Sequence, residues 1–280
     1  MAREATRRLR QFRTPPRKIL SSYDFAAQRL FVKVELAEGA RVTPDSGAQN
    51  YILNVLRLGE GDPLLLFNGR DGEWRARVSM VSRRAADLVV ERRMREQTAA
   101  GDLEYAFAPL KQARLDYMVQ KAAEMGAARL TPVITRRTQV RKINGDRLRA
   151  NIIEAAEQCG LLNAPELADA LGLESWLEKL PPQRLVIFCD EDAELSNPVE
   201  ALRRVAAAAG EAVPVSVLIG PEGGFDDVER SLVLRRPHVL RISLGPRILR
   251  ADTAAVAALA LVQAVLGDWR QDLSKAGRMY

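Results

Sequence analysis

Histidine and cysteine are nearly absent from this chain. Its 280 residues hold one histidine, His238, and two cysteines, Cys159 and Cys189. Two distant thiols without metal-ligand spacing exclude a disulfide framework and a zinc site, and they suit a reducing cytosol. The lone histidine sits between Pro237 and Val239 at the start of an expected strand, remote from that strand's functional end, and reads as a strand-edge residue rather than a general base. No apolar run approaches the ~18 residues that a membrane span needs. The N-terminus also lacks the apolar stretch of a secretory signal. Two nucleotide signatures are missing too. There is no G-x-x-x-x-G-K-[ST] loop and no G-x-G-x-x-G, and Gly59-Glu60-Gly61 has no helix after it.

What is present is an ordinary globular composition with a basic surplus. The chain is 47% hydrophobic and 28% charged, enough to bury a core. The formal net charge of +6, with a pI near 9.6, favours an anionic partner such as nucleic acid. Residues 1–22 are a strongly basic tail, read first as solvated and disordered. A phosphate-neutralising arm or a transit peptide has a similar composition.

Two rhythms follow the tail. Residues 23–97 are β-rich: RLFVKVEL and ADLVVERR are strand-like, PLLLFNGRDGEWRARVSMV reads as a hairpin around Asn68–Gly72, and AQNYILNVLRL has helical spacing. This predicts a small barrel-like module. Residues 98–280, after the linker-like EQTAAGD, alternate strands with helices. That alternation predicts a mostly parallel α/β sheet with helices on both faces and ligands at the carboxyl ends of its strands.

The segment LIGPEGGF (Leu218–Phe225) lies where the strand VPVSV turns into a helix opened by Asp226 and Asp227. Glu222 among the glycines would repel a phosphate, so the turn suits a ligand without one. S-adenosylmethionine fits, with an adenosine to hydrogen-bond and a sulfonium cation that a carboxylate would welcome. Taken alone, Gly223 and Gly224 could simply make the turn. A second strand end, ISLGPRILRADTAAVAALA, places Gly245, Arg247, Arg250, Asp252 and Thr253 ahead of a long apolar helix.

IGPEGGF followed by LGPRILRADTA resembles the RsmE family of ribosomal RNA methyltransferases. LFVKVEL, YILNVLRLGEGD, NGRDGEW, KQARLDYMVQKAAEMGAARLTPVITRRTQV and IIEAAEQCG extend the resemblance over nearly the whole chain from Arg29. The resemblance implies a PUA-like β-barrel before a SPOUT-type α/β domain with a deep C-terminal trefoil knot. It implies S-adenosyl-L-methionine-dependent methylation of N3 of uridine 1498 in 16S rRNA, within the assembled 30S subunit. It also implies a homodimer and a cytoplasmic location. A SPOUT methyltransferase for another RNA, or a non-enzymatic RNA-binding or ribosome-assembly protein, would share much of this pattern.

The expected cofactor pocket joins three strand ends: Cys189 with Asp190 and Glu191, then Ile219, Gly220, Pro221, Glu222, Gly223 and Gly224, then Leu244, Gly245, Arg247, Ile248 and Leu249. Backbone groups of Ile219, Leu244 and Leu249 are candidates for adenine, with Gly220, Gly223 and Gly245 allowing close approach. Arg250 is the candidate to stabilise charge on the uracil oxygens as N3 loses its proton, because a guanidinium offers several donors without titrating. Asp252 is a candidate base or an anchor for Arg250, although a helix cap explains it slightly better. The family more often carries Glu there, and the shorter side chain makes direct proton abstraction harder. The family also often has Arg where this chain has Leu161, while Glu157 and Gln158 remain candidates near the target base. Candidate RNA contacts are Lys111, Arg114, Arg136, Arg137, Arg141 and Lys142 in the α/β domain, and Arg57, Arg70 and Arg75 in the barrel.

Overall fold

The computed structural model describes residues 27–209 and 213–270. The basic tail 1–22, the first residues of the expected barrel and the C-terminal residues 271–280 lie outside them. Residues Gln28–Gln271 cluster as one compact unit.

The N-terminal part carries β1 (Arg29–Phe31), β2 (Arg41–Val42), α1 (Ser46–Asn50), a π-helical turn (Tyr51–Val55), β3 (Pro63–Phe67), β4 (Glu73–Ser82) and β5 (Ala85–Arg95). They form a five-stranded sheet of order β1-β3-β4-β5-β2, antiparallel except for β1 beside β3. The expected RLFVKVEL strand shortens to three residues. The NGRDG turn closes the β3–β4 hairpin because Asn68 Oδ1 accepts the N–H groups of Arg70 and Asp71, and Gly69 and Gly72 take positive φ. Alternate residues of the strands (Leu64, Leu66, Ala76, Val78, Leu88, Val90) build a core with Ile52.

The second part carries β6 (Leu103–Phe107), α2 (Gln112–Glu124), β7 (Arg129–Ile134), α3 (Gly145–Gln158), β8 (Glu166–Leu167), β9 (Leu171–Gly172), α4 (Leu173–Lys179), β10 (Leu185–Cys189), α5 (Pro198–Ala209), β11 (Val215–Ile219), α6 (Asp227–Leu234), β12 (Val239–Ile242) and α7 (Ala251–Val265). All strands pair in parallel, in the order β12-β10-β11-β6-β7-β8, with β9 also on β7. Strand residues alternate between two cores, as a sheet covered on both faces requires. Tyr105, Phe107, Ile187 and Val217 face α2, α3, α5 and α7, while Ala106, Val186, Phe188 and Leu218 face α4 and α6. The short elements β8, β9 and α4 have no counterpart in the sequence-based expectation.

A buried ionic cluster of the N-terminal part links the two parts, because its arginines also bond carbonyls at the end of α3. Glu73, fully buried, receives Arg29 Nε at 2.7 Å and Arg95 Nε and Nη2 at 2.9 and 2.8 Å. Burial pushes the Glu73 carboxyl up. The hydrogen bonds and charges of Arg95 and Arg29 together outweigh that and hold it below the usual carboxylate range. Because the folded carboxyl titrates below the unfolded one, this stabilisation is complete above the ordinary glutamate value of 4.5 and fades as pH falls through the folded value. Glu73→Gln should therefore cost roughly 3 kcal/mol near neutrality by leaving two guanidiniums without their counter-charge. It should also flatten the loss of stability below about pH 4.5, which urea melts at stepped pH would measure.

Candidate cofactor and RNA site

Parallel register places four strand ends in one row. Phe107, Ile219, Cys189 and Ile242 are neighbours across β6, β11, β10 and β12. The loops beyond them carry nearly all of the expected cofactor residues, at the sheet edge where α/β folds place ligands. A larger cavity of about 480 Å³, lined by Phe31, Asn68, Asp102, Arg129, Glu166 and Arg184 among others, lies near the amino ends of β6, β7 and β10. It contains none of the expected residues.

The turn after β11 is shaped by what surrounds each glycine. Gly224 has φ +66, and a Cβ there would run into the Glu191 carboxylate. Gly223 lies against the Arg137 side chain. A Cβ on Gly220 would stand 2.5 Å from the ring of Phe225, which is fully buried against Phe188. Gly220 thus makes room for a core aromatic, a packing reason for its bareness beside the expected one. Gly245 differs: it has φ +107 and nothing within 4 Å of its Cβ position. Pro221 is buried and starts a turn in which Gly224 N–H donates to its carbonyl.

Side chains from neighbouring loops clamp this turn. Arg137 Nη1 donates to Gly223 O at 2.7 Å. Arg136 bonds Asp226 through its guanidinium at 3.0 Å and Glu229 through its backbone N–H at 2.8 Å. Asp226 caps α6 reciprocally with Glu229, as DDVERS predicts. The hydrogen bond from the Glu229 N–H, which outweighs the opposing effect of burial with help from Arg136, holds the Asp226 carboxyl below the usual carboxylate range. Glu222, expected to face the ribose or sulfonium, is ion-paired with Arg114 from α2. That pair is exposed and so readily exchanged. Lys111, Arg137, Gln139, Glu222 and Gly223 line one narrow cleft.

The β10 end is held from beneath. Asp190 is buried and takes Arg230 at 3.2 Å and Arg241 at 2.6 Å. Desolvation and then Asp190 push the buried Cys189 thiol up to about 12, so it is a packed, unreactive group. The Ile219 carbonyl accepts Ala108 N–H at 3.0 Å, continuing the ladder. The loop Leu244–Leu249, in contrast, makes no backbone–backbone hydrogen bond among the described residues. Apart from Gly245, whose N–H and carbonyl both meet the Ser243 hydroxyl at 3.3 Å, its polar backbone groups are therefore available to a ligand. Ile248 in this loop is 96% exposed.

Arg250 is the N-cap residue of α7, in extended conformation and without a side-chain cap bond. Its guanidinium has no ion pair among the described residues. Asp252 is therefore not the cap, contrary to the cap reading. It lies in the first helical turn and accepts Thr253 N–H at 3.0 Å. The phenol of Tyr105, wholly buried in the sheet, is pushed well up by burial first, then by Cys189 and by the charge of Asp252.

Among the remaining expected RNA contacts, Arg141 and Lys142 are exposed just before α3. Arg57 is exposed with φ 57, Arg70 is exposed on the hairpin turn, and Arg75 pairs with Glu91 at 3.3 Å. Glu157 is not near the strand ends. Its Oε1 accepts Phe31 N–H at 2.8 Å from the N-terminal sheet, and Leu161 packs in the same junction. Sequence reasoning missed this junction, as it missed Arg230 and Arg241 behind the expected Asp190. In the sequence, ordinary charged residues are their only trace. His238 lies at the amino end of β12, away from the row of strand ends.

Comparison with known proteins agrees with this geometry. Residues 96–263 match the RNA methyltransferase domain family, and residues 44–91 match the RNA methyltransferase PUA domain family. A PUA module before a parallel SPOUT-type sheet with glycine turns at its carboxyl edge is the build of an RNA methyltransferase. Ribosomal RNA small subunit methyltransferase E of Rickettsia conorii is 30% identical over 247 residues, spanning 88% of this chain and 98% of that protein. The protein of the same name from Synechocystis is 30% identical, over 90% of this chain and 82% of that one. A methyltransferase structure from Legionella pneumophila with bound SAM superposes with a TM-score of 0.73 at 31% identity, covering 86% of this chain and 99% of that one. Ribosomal RNA small subunit methyltransferase E from Neisseria gonorrhoeae, bound to S-adenosyl methionine, gives 0.71 at 25% identity, covering 87% and 99%. The chain belongs to the RsmE family of ribosomal RNA small subunit methyltransferases.

Proposed function

We propose that this chain transfers a methyl group from S-adenosylmethionine to N3 of uridine 1498 in 16S rRNA, acting on the assembled 30S subunit in the cytoplasm. The observation that carries the reading is the loop Leu244–Leu249: it joins a bare Gly245 at φ +107 to backbone groups that make no backbone–backbone hydrogen bond among the described residues, directly beyond the strand ends. Relatives of this architecture are solved with the cofactor bound.

The residues fit such a ligand. Leu244 and Leu249 would hold the adenine through their backbone, Gly245 would admit it closely, and Ile248 would give up its exposed apolar surface to it. The cofactor when bound supplies an electrophilic methyl group on a sulfonium sulfur. The protein supplies proximity and alignment. Arg250 donates to the uracil oxygens as N3 gives up its proton, and Asp252 either accepts that proton or orients Arg250. Lys111, Arg141, Lys142 and the barrel's Arg57 and Arg70 hold phosphates. Arg114, Arg136 and Arg137 serve first to hold the cofactor turn.

The barrel, taken as 23–97, extends the RNA surface of the catalytic module 98–280. Strand order supports a trefoil knot: β11 enters between β6 and β10, and α7 then returns against α2 and β11. A homodimer is supported by α7, which has no charged residue after Asp252 yet leaves Val256, Ala257, Leu261 and Val265 only half-buried.

The test incubates the protein with S-adenosylmethionine and small subunits from a strain lacking the gene, then maps 3-methyluridine by mass spectrometry. Methylation at position 1498 is the expected result. Cofactor binding with no such mark would redirect the activity to another RNA. Neither binding nor methylation would leave a ribosome-assembly role.

A further inference from the structure

We propose that Arg29 is a positioning residue for the RNA substrate, which locks the barrel to the end of α3 and makes that helix a strut between the two RNA-gripping surfaces. The inference rests on the reading of the chain as an rRNA methyltransferase.

Arg29 starts β1, and nearly every donor of its guanidinium is committed. Nε reaches Glu73 at 2.7 Å, Nη1 reaches Ala156 O at 2.6 Å and Glu157 O at 2.9 Å, and Nη2 reaches Leu161 O at 2.7 Å. The guanidinium also lies over the Phe67 ring, 4.3 Å from its centroid. Arg95 joins Glu73 to Gly160 O at 2.9 Å. These carbonyls close the C-terminal end of α3, where a helix carries unpaired acceptors and partial negative charge. From the same end, Glu157 takes Phe31 N–H of β1. Two cations of one module thus cap a helix of the other, with Glu73 between them.

The joint is directional rather than merely adhesive. Each module has its own apolar core, and among the described residues only Phe67, Ala156 and Leu162 form a fully buried apolar cluster across the boundary. With so little apolar area shared, the angle between the modules is set by charge-assisted hydrogen bonds of fixed geometry. Contacts of this size would otherwise leave domains free to move. The other end of α3 follows the basic segment that ends in Arg141 and Lys142. Its fourteen residues, Gly145–Gln158, span roughly 20 Å at 1.5 Å per residue. So the strut separates the barrel arginines Arg57 and Arg70 from the cationic loop beside the cofactor turn by a fixed distance. A structured RNA can meet both only if that distance holds.

The experiment compares wild type, Arg29→Lys, Glu157→Ala and Glu157→Gln as full-length proteins. Lysine keeps the charge of Arg29 but cannot reach four acceptors. Glutamine at 157 keeps the acceptor for Phe31 N–H, and alanine removes it. Readouts are the S-adenosylmethionine dissociation constant, and kcat and KM for small subunits by labelled-methyl incorporation. Arg29→Lys and Glu157→Ala should bind cofactor as wild type does and keep kcat within about twofold. Their KM for subunits should rise on the order of ten- to a hundredfold, because ångström misplacement of a gripping surface is felt at that scale. Glu157→Gln should restore KM. A purely structural joint would lower the melting temperature and the active fraction while leaving KM alone, and that pattern would overturn the proposal. Should Arg29→Lys not fold, the Glu157 pair gives the same split. Absence of methylation by wild type would sink the parent reading instead.

Discussion

Arg250→Ala should lower kcat for rRNA methylation by about 10²- to 10³-fold, with the affinity for S-adenosylmethionine unchanged. Three features lead to this expectation. The guanidinium belongs to a loop end rather than to the core, and it has no ion pair among the described residues. It stands at the N-terminus of α7, whose dipole adds to a positive local field. It is two residues from Asp252, which lies in the first turn of the same helix. A cation so placed is prepared for negative charge that appears only as the base reacts. Because it acts on the developing charge, its loss falls on kcat rather than on binding. Arg250→Lys should recover only part of the rate, since an ammonium cannot present a planar fork to uracil. Asp252→Asn separates the two roles of the carboxylate. A loss nearly as large as that of Arg250→Ala, relieved at higher pH, marks a proton acceptor. A loss of about tenfold that does not change with pH marks an orienting group. Stopped turnover with intact cofactor binding is the informative measurement. A weakened cofactor complex with normal turnover would move Arg250 into the cofactor pocket.

Much of the fold was legible because burial leaves a period. VPVSV and RLVIFC are apolar but for Ser216 and Arg184 and became β11 and β10, covered on both faces. DDVERS was legible as a helix start because a capping box uses only neighbours in sequence. What escaped depends on partners far along the chain. Arg29, Glu73 and Arg95 look like unremarkable surface charges until the end of α3, 127 residues beyond Arg29 and 65 beyond Arg95 at Gly160, supplies acceptors for the two arginines. The two-residue strands β8 and β9 are too short to show a period at all. RRTQVRK was read as an RNA grip, and half of it is engaged within the protein: Arg136 and Arg137 hold the PEGG turn, while Arg141 and Lys142 face solvent. Composition marks a segment as basic but does not say what its charges touch.

The glycines of the two turns give the second large effect, because one motif reading splits into two physical roles. Gly220→Ala should unfold the protein earlier, whereas Gly245→Ala should cost cofactor affinity. At Gly220 the new methyl meets the edge of Phe225 at 2.5 Å. That ring is fully buried and stacked edge-on against Phe188, 5.0 Å between centroids, so it has little room to retreat. Overpacking of this kind costs about 1–3 kcal/mol, or roughly 2–12 °C in melting temperature for a chain of this size. At Gly245 the methyl meets no atom, so packing is untouched. The penalty is instead conformational: φ +107 lies where alanine is strained by on the order of 1–3 kcal/mol. The exposed loop can relieve it by turning its backbone, and in doing so it moves the unpaired groups of Leu244 and Leu249 away from the ligand. The expected outcome is a melting temperature within about 2 °C of wild type and a cofactor dissociation constant raised on the order of a hundredfold. Calorimetric titration alongside a thermal melt reads both quantities. Cofactor affinity retained in Gly245→Ala would remove the Leu244–Leu249 loop from the site. A lower melting temperature in Gly245→Ala than in Gly220→Ala would reverse the division between packing and binding drawn from their surroundings.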